Sequence, residues 1–370
     1  MRTILLALAA LTLAAPAEAQ VRITIDASLA ERTLGLVCSG RPVDERAVRN
    51  SPAVQAQIAH NSGLIAAATM DAYVAALRAA SACQAPAEDP FGIGDVIANR
   101  EIYRAKITAL TARQNELTQA VAARLAPFMR DGENFEGSVV LAVPYFSCGG
   151  FSREAAFFID IRCLDADISA DWVALELLIA HETFHAIQQR YFARVIENAE
   201  EIATLTDAYA YLFGALLWEG SAEYATPSRE LGAGGGMLTR IGRQFAASNA
   251  QRRRSNFNLL SMMFEYVSHH EGDPRAAAER AYQIAFTGTF EQFAYYAGAE
   301  MAGDIDQAWG RPALLCVMRL PAEEFALAHD AVAEARTDNP RRLGPAAIGA
   351  ARAVRATRET TQTFESCRPA

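Results

Sequence analysis

Ala180-His181-Glu182-Thr183-Phe184-His185-Ala186 is the stretch that decides how this chain is read. The run Trp172-Val173-Ala174-Leu175-Glu176-Leu177-Leu178-Ile179 leads into it and Ile187-Gln188-Gln189 leads out, with helical spacing throughout. On a helix, residues four apart stand one above the other on the same face. His181 and His185 then present two imidazoles to one point, which is the geometry of a zinc site. Glu182 beside them can serve as a base toward a metal-bound water. The blander alternative is a helix with two ordinary histidines and an exposed Glu. A third ligand, on a helix facing the same way, decides between the two.

Leu217-Trp218-Glu219-Gly220-Ser221-Ala222-Glu223-Tyr224 closes a helix expected over about 198–225. Glu219 and Glu223 are four apart and share a face. Two carboxylates on one buried face are costly unless something positive holds them. Zinc with two histidines would do so, with Glu219 as the third ligand. Glu223 is then expected to accept a hydrogen bond from the free ring nitrogen of a ligand histidine and fix its tautomer. Gln188, seven beyond His181 on the same face, is a further candidate for a hydrogen bond within the site. The competing reading is a pair of exposed Glu side chains on a solvated helix.

H-E-x-x-H followed by W-E-G-x-A-E-Y resembles the gluzincin metallopeptidases, the superfamily of thermolysin and the aminopeptidase N-like enzymes. The likeness covers about residues 137–226 and is strongest at the metal site. It extends to uncharacterised, exported, mostly helical gluzincin-like proteins of bacteria, with a fainter echo in Tyr296-Ala297-Gly298-Ala299-Glu300-Met301-Ala302. The resemblance implies a zinc-dependent peptidase with His181, His185 and Glu219 as ligands. A G-x-M-E-N segment ahead of the metal helix is missing, so an aminopeptidase is not implied. Gln188 and Tyr191 occupy the places where a metzincin carries Gly and a third His.

Three ligands leave one zinc position for water, whose proton Glu182 would take and pass to the leaving amine. The oxyanion needs a donor from the protein. The resemblance places a Tyr or His there from the C-terminal half, and Tyr295, Tyr296 and His270 are the candidates. His60 and His329 have no evident partners. The alternative function is a non-catalytic protein that binds zinc or a partner on the same fold; retention of Glu182 speaks against it, since a structural site needs no base.

Outward from the motif the texture changes twice. Ser138–Val143 and Ala155–Cys163 read as strands around a turn at Cys148-Gly149-Gly150, and are expected to be antiparallel neighbours. Val21–Asp26 alternates as a short strand. The stretch Phe157–Arg162 is a candidate to pair with a peptide substrate as an extra strand. Before them, 44–82 and 98–129 are helical, and after the motif helices are expected at about 236–249, 256–270, 274–286, 290–308 and 321–335. Gly232-Ala233-Gly234-Gly235-Gly236 reads as a flexible connector. The fold class is α+β and predominantly α: a zincin-like core with a small antiparallel sheet, an H-E-x-x-H helix and a Glu-bearing second helix, flanked by helical layers. The expected divisions are a signal peptide at 1–19, an N-terminal helical region at 20–130, the catalytic core at 131–230 and a C-terminal helical region at 231–370 packed with the core.

Of the 370 residues 51% are hydrophobic and 21% charged, the balance of a globular protein. The start is different: Arg2, an apolar centre from Ile4 to Ala15, then Ala17-Glu18-Ala19. This is a secretory signal peptide, cut between Ala19 and Gln20. No later stretch is long enough to span a bilayer. The six cysteines suit an oxidising compartment. A sequential pairing is expected: Cys38 with Cys83, Cys148 with Cys163, Cys316 with Cys367. Net charge is −9 and Lys106 is the only lysine, which argues against nucleic acid as a partner. The expected partner is a peptide or protein substrate, met outside the cytoplasm.

Overall fold

The structure, a computed structural model, describes residues 20–143, 150–153, 156–196, 198–338, 341–358 and 362–369. The proposed leader at 1–19 lies outside them. Val21 and Ile23 are buried while Arg22 and Thr24 face out, so the alternation does build a strand, β1 (Gln20–Asp26). It pairs with β2 (Asn134–Ala142), which pairs in turn with β4 (Ala156–Asp160); β3 (Gly150–Arg153) completes the order β1-β2-β4-β3.

The sheet corrects the antiparallel expectation. β1, β2 and β4 are parallel, and only β3 runs against β4. The reason is that Gly150–Arg153, whose first residue was read as the end of a turn and whose rest was given no element, is itself a strand. It occupies the antiparallel place beside β4, so β4 runs the same way as β2. Four residues are too few to show a periodicity. Both sides of β4 are thereby taken, by β2 and β3, so β4 cannot receive a substrate strand; among the described residues the outer strands are β1 and β3. Residues 161–163 continue as a 3₁₀ turn.

The N-terminal layer comprises α1 (Ser28–Leu36), α2 (Glu45–Arg49), α3 (Pro52–Leu64), α4 (Met70–Ser81), α5 (Ile93–Ala112) and α6 (Gln114–Leu125). Ser51 and Thr69 accept from backbone N–H groups at the starts of α3 and α4, which is why the 44–82 stretch breaks into separate helices. Lys106 on α5 is buried and donates to the carbonyls of Ile161 (3.2 Å) and Arg162 (3.3 Å), and to Leu164, tying this layer to the turn after β4.

The metal-motif helix is α7 (Trp172–Tyr191) and the Glu-bearing helix is α8 (Leu205–Ala225). Then follow α9 (Met237–Gln251), α10 (Arg253–Ser268), α11 (Pro274–Ala285), α12 (Phe293–Trp309), α13 (Arg311–Val317), α14 (Ala322–Glu334) and α15 (Pro345–Ala356). A capping box starts α8: Asp207 N–H donates to Thr204 Oγ1 (3.1 Å) and Thr204 N–H to Asp207 Oδ2 (2.8 Å). α8 is apolar on nearly every side because α7, α10, α11, α12, α14 and α15 surround it. One cluster of buried apolar side chains runs from Val21 to Cys367.

Disulfides join Cys38 to Cys83 and Cys316 to Cys367, as expected. Each closes a loop of about 50 residues, which by chain entropy contributes about 4 kcal/mol. The Cys148–Cys163 pairing falls on Cys148, outside the described residues. No helix among the described residues is long and apolar enough to cross a membrane.

Candidate metal centre

Helix geometry alone sets His181 one turn from His185, and α7 packs on α8 so that Glu219 faces both. Glu219 Oε2 lies 3.4 Å from His181 Nε2 and 3.2 Å from His185 Nε2. The three ligand atoms fall within 4.8 Å of one another and could hold a metal ion. The imidazoles stand nearly perpendicular, at 86° with centroids 4.7 Å apart. Trp218 stacks on His185, and Tyr295 of α12 stacks on His181 at 6.0 Å and 9°.

Hydrogen bonds fix which nitrogen of each ring is free. Gln188 Nε2 donates to Trp218 O (2.8 Å) and to Ser221 Oγ (2.9 Å), so its oxygen is the atom left to accept. That oxygen lies 2.6 Å from His185 Nδ1, which must therefore carry its hydrogen. Thr226 Oγ1 donates to Ala222 O (2.7 Å) and so accepts from His181 Nδ1 (3.3 Å). Both Nε2 atoms are left pointing at Glu219 Oε2. That oxygen is buried and has no hydrogen-bond partner. Three such atoms converging on one buried point repel each other unless a proton or a metal ion lies between them. The donor set, two imidazoles and one carboxylate, is one that zinc takes.

The charges respond to the same convergence. Burial alone pulls His185 down, but the Glu219 carboxylate, with help from Glu182 and Gln188, pushes it up to about 9. Glu219 is held far below the usual carboxylate range: burial raises it, and the two histidines, His185 first, more than reverse that.

The partner expected of Glu223 is a different one. Glu223 accepts from Ser228 N–H (2.9 Å) and Ser228 Oγ (3.0 Å), while Gln188 and Thr226 take the two ring nitrogens. Burial lifts Glu223 to about 7, against the pull of Ser228 and His181. Gln188 thus holds the role the sequence reading gave to Glu223. Thr226, Trp218 and Ser221 were given no role in the sequence reading; Thr226 is the residue just past the end of α8, one turn beyond Ala222.

A cleft of about 330 Å³ opens on the centre, between α7, α9 and the start of α12. His181, Glu182, Thr226, Tyr295 and Tyr296 line it, with Leu177, Leu178, Met237, Ile241 and Phe245 as apolar wall. Burial first, then the charges of Glu219 and Glu182 and the hydroxyl of Tyr282, hold the Tyr295 phenol protonated well above its ordinary range. Tyr296 is raised too, by burial and then Glu223. His270 is not brought to the cleft: it follows α10 and packs on Tyr266 at 5.5 Å. His60, on α3, does have a neighbour here; burial lowers its pKa while Glu182 opposes this. His329 is buried with Nε2 3.3 Å from Asp304 Oδ2.

Two pairs of glycines shape the walls. Gly220 follows Glu219 and packs against Gly298, three residues after Tyr295; a Cβ on Gly220 would sit 2.5 Å from the Gly298 Cα. Gly235 (φ +96°) and Gly236 lie against Ala170 O and Asp171, where a side chain would collide. Asp171 in turn accepts from Thr239 N–H (3.0 Å) and Oγ1 (2.9 Å). The end of the glycine run is therefore a docked corner that fastens α9 to the start of α7.

Residues 46–338 match the family described as "Putative zinc dependent peptidase (DUF5700)". The match takes in both helices that carry the His-His-Glu cluster and most of the chain, and the chain belongs to this family. No curated protein matches the chain, and neither does any solved structure.

Proposed function

We propose that this member of a zinc-peptidase family is an exported, gluzincin-type hydrolase of peptide bonds, with His181, His185 and Glu219 as metal ligands and Glu182 as general base. The observation that carries the reading is the convergence of both histidine Nε2 atoms on the buried Glu219 Oε2. Zinc held there would polarise the scissile carbonyl and make water acidic enough to surrender a proton at neutral pH. Glu182 takes that proton on its carboxylate and delivers it to the leaving nitrogen. Tyr295, kept protonated, donates its O–H to the carbonyl oxygen as that atom gains charge. Gln188 and Thr226 hold the two imidazoles in the tautomer the metal needs. The outer edge of β3, unpaired among the described residues and packed near α7, can pair with an extended peptide, and the Leu177–Ile241 wall can cover an apolar side chain beside the scissile bond. Export rests on the leader-like first nineteen residues and on the disulfides, which persist in oxidising compartments.

The test is a peptide-library digest by zinc-loaded protein, repeated after chelation and again after zinc is restored. Cleavage lost and regained with zinc supports the reading. A protein that binds zinc yet cuts no peptide is a binding module instead.

A further inference from the structure

Behind the wall made by Glu223 and Tyr296 lies a second cavity, of about 420 Å³, bounded by the end of α8, the α9–α10 junction and α12. The two residues belong to both cavities, so the second one adjoins the metal cleft. Its other acidic groups already have partners. Glu300 is held by Arg253 (2.8 Å) and Arg341, and Asp304 by Arg336 (2.8 Å) and His329 (3.3 Å).

Two groups on its lining are not answered in this way. Asn249 Nδ2 donates to Phe245 O (2.9 Å) and Glu291 O (2.8 Å), which turns its oxygen toward Asn256. Asn256 Nδ2 donates to that oxygen at 3.0 Å. The Asn256 amide then has one orientation only, and its Oδ1 is left as an acceptor. Asn256 is 1% exposed and this Oδ1 has no partner. A buried acceptor in that state costs stability until something donates to it. Arg229, exposed at the rim, makes no ion pair or hydrogen bond among the described residues.

We propose that this cavity is a second substrate subsite that recognises an uncharged polar side chain, best an Asn or Gln amide, whose N–H donates to Asn256 Oδ1 and whose carbonyl accepts from Arg229. The assignment rests on the peptidase reading and deepens it. An anionic side chain has no donor for Asn256 Oδ1, and a cationic one would meet Arg229; an amide offers both a donor and an acceptor. An apolar side chain would leave Asn256 Oδ1 unanswered.

Two measurements with zinc-loaded protein test it: a library digest by wild type, Asn256→Leu and Arg229→Glu, and peptide-array binding by the same three on a Glu182→Gln background. Wild type should favour Asn or Gln about tenfold over Leu at one position outside the scissile pair. Asn256→Leu should abolish that preference and leave the residues flanking the scissile bond chosen as before. Arg229→Glu, an exposed change that spares the fold, should move the preference toward Lys or Arg. Cleavage with a profile that neither substitution alters overturns the subsite while sparing the peptidase reading. Array binding that follows Asn256 without cleavage by wild type overturns the peptidase reading while sparing the subsite. Neither cleavage nor binding overturns both.

Discussion

Gly220 and Gly298 meet where α8 crosses α12, so closely that a Cβ on Gly298 would lie 2.7 Å from the Gly220 Cα and 2.7 Å from Leu216 O. Glu219 precedes one of them and Tyr295 stands one turn before the other. The contact therefore sets the distance between a proposed metal ligand and the proposed oxyanion donor. Gly298→Ala must push the helices apart. It is expected to cost about 1–3 kcal/mol, the usual range for an overpacked core, and to lower the peptidase rate more than the zinc content. Thermal denaturation with paired metal and rate assays checks this; an unchanged melting temperature would show that the crossing has slack.

Gln188 touches no substrate in this account. Its oxygen fixes His185, and its amide is fixed by Trp218 and Ser221. Gln188→Leu removes the acceptor while keeping the bulk, and zinc should bind about 10–100-fold more weakly. Competition with a chromophoric chelator measures it. Equal affinity would mean that His185 is oriented by packing on Trp218 alone.

The charge state of His185 gives a pH dependence to metal binding. In the metal-free protein Glu219 pushes it up to about 9, so below that pH Nε2 carries a proton that zinc must displace. Affinity should fall close to tenfold per pH unit from about 9 down to 7, with about one proton released per ion bound. Isothermal titration in buffers of different ionisation enthalpy counts that proton. A flat affinity across this window contradicts the assignment.

Glu223 has the opposite consequence for stability. Burial lifts it from an ordinary 4.5 to about 7, so the folded state favours the protonated form. That favour is fully present below about pH 4.5 and is lost as pH rises through 7. Glu223→Gln can still accept from Ser228 N–H and donate to Ser228 Oγ. In metal-free protein it should match wild type at pH 4 and exceed it by up to about 3 kcal/mol at pH 8. Urea unfolding at the two pH values decides; wild type the more stable at pH 8 would refute the proton assignment.

How much of this was legible in the sequence differs by element. The pairing of His181 with His185 follows from helical periodicity, and Glu219 from its spacing to Glu223 and the W-E-G-x-A-E-Y resemblance, so the three residues that the structure brings together could be named before the fold was seen. Two of the three expected disulfides are present. The direction of the sheet was not legible, because Gly150–Arg153 is too short for its alternation to register. Of the outer partners, Gln188 was legible from its place on the His181 face, while Thr226 was not, because it lies just past the end of α8 and acts through side-chain packing that spacing does not encode. Glu223 was given the wrong partner for the same reason, since Ser228 lies in the turn beyond the helix and its reach depends on how that turn folds back. His270 shows the limit of reasoning from residue type alone, for it sits at a helix end away from the cleft.

The central claim is a zinc site of His181, His185 and Glu219 served by Glu182 as base. The direct test is zinc content and peptide cleavage measured side by side on wild type and Glu182→Gln. One zinc per chain is expected in both, with the rate of the variant lower by about 10²–10⁴-fold. No zinc in wild type, or equal cleavage by the two proteins, would contradict it.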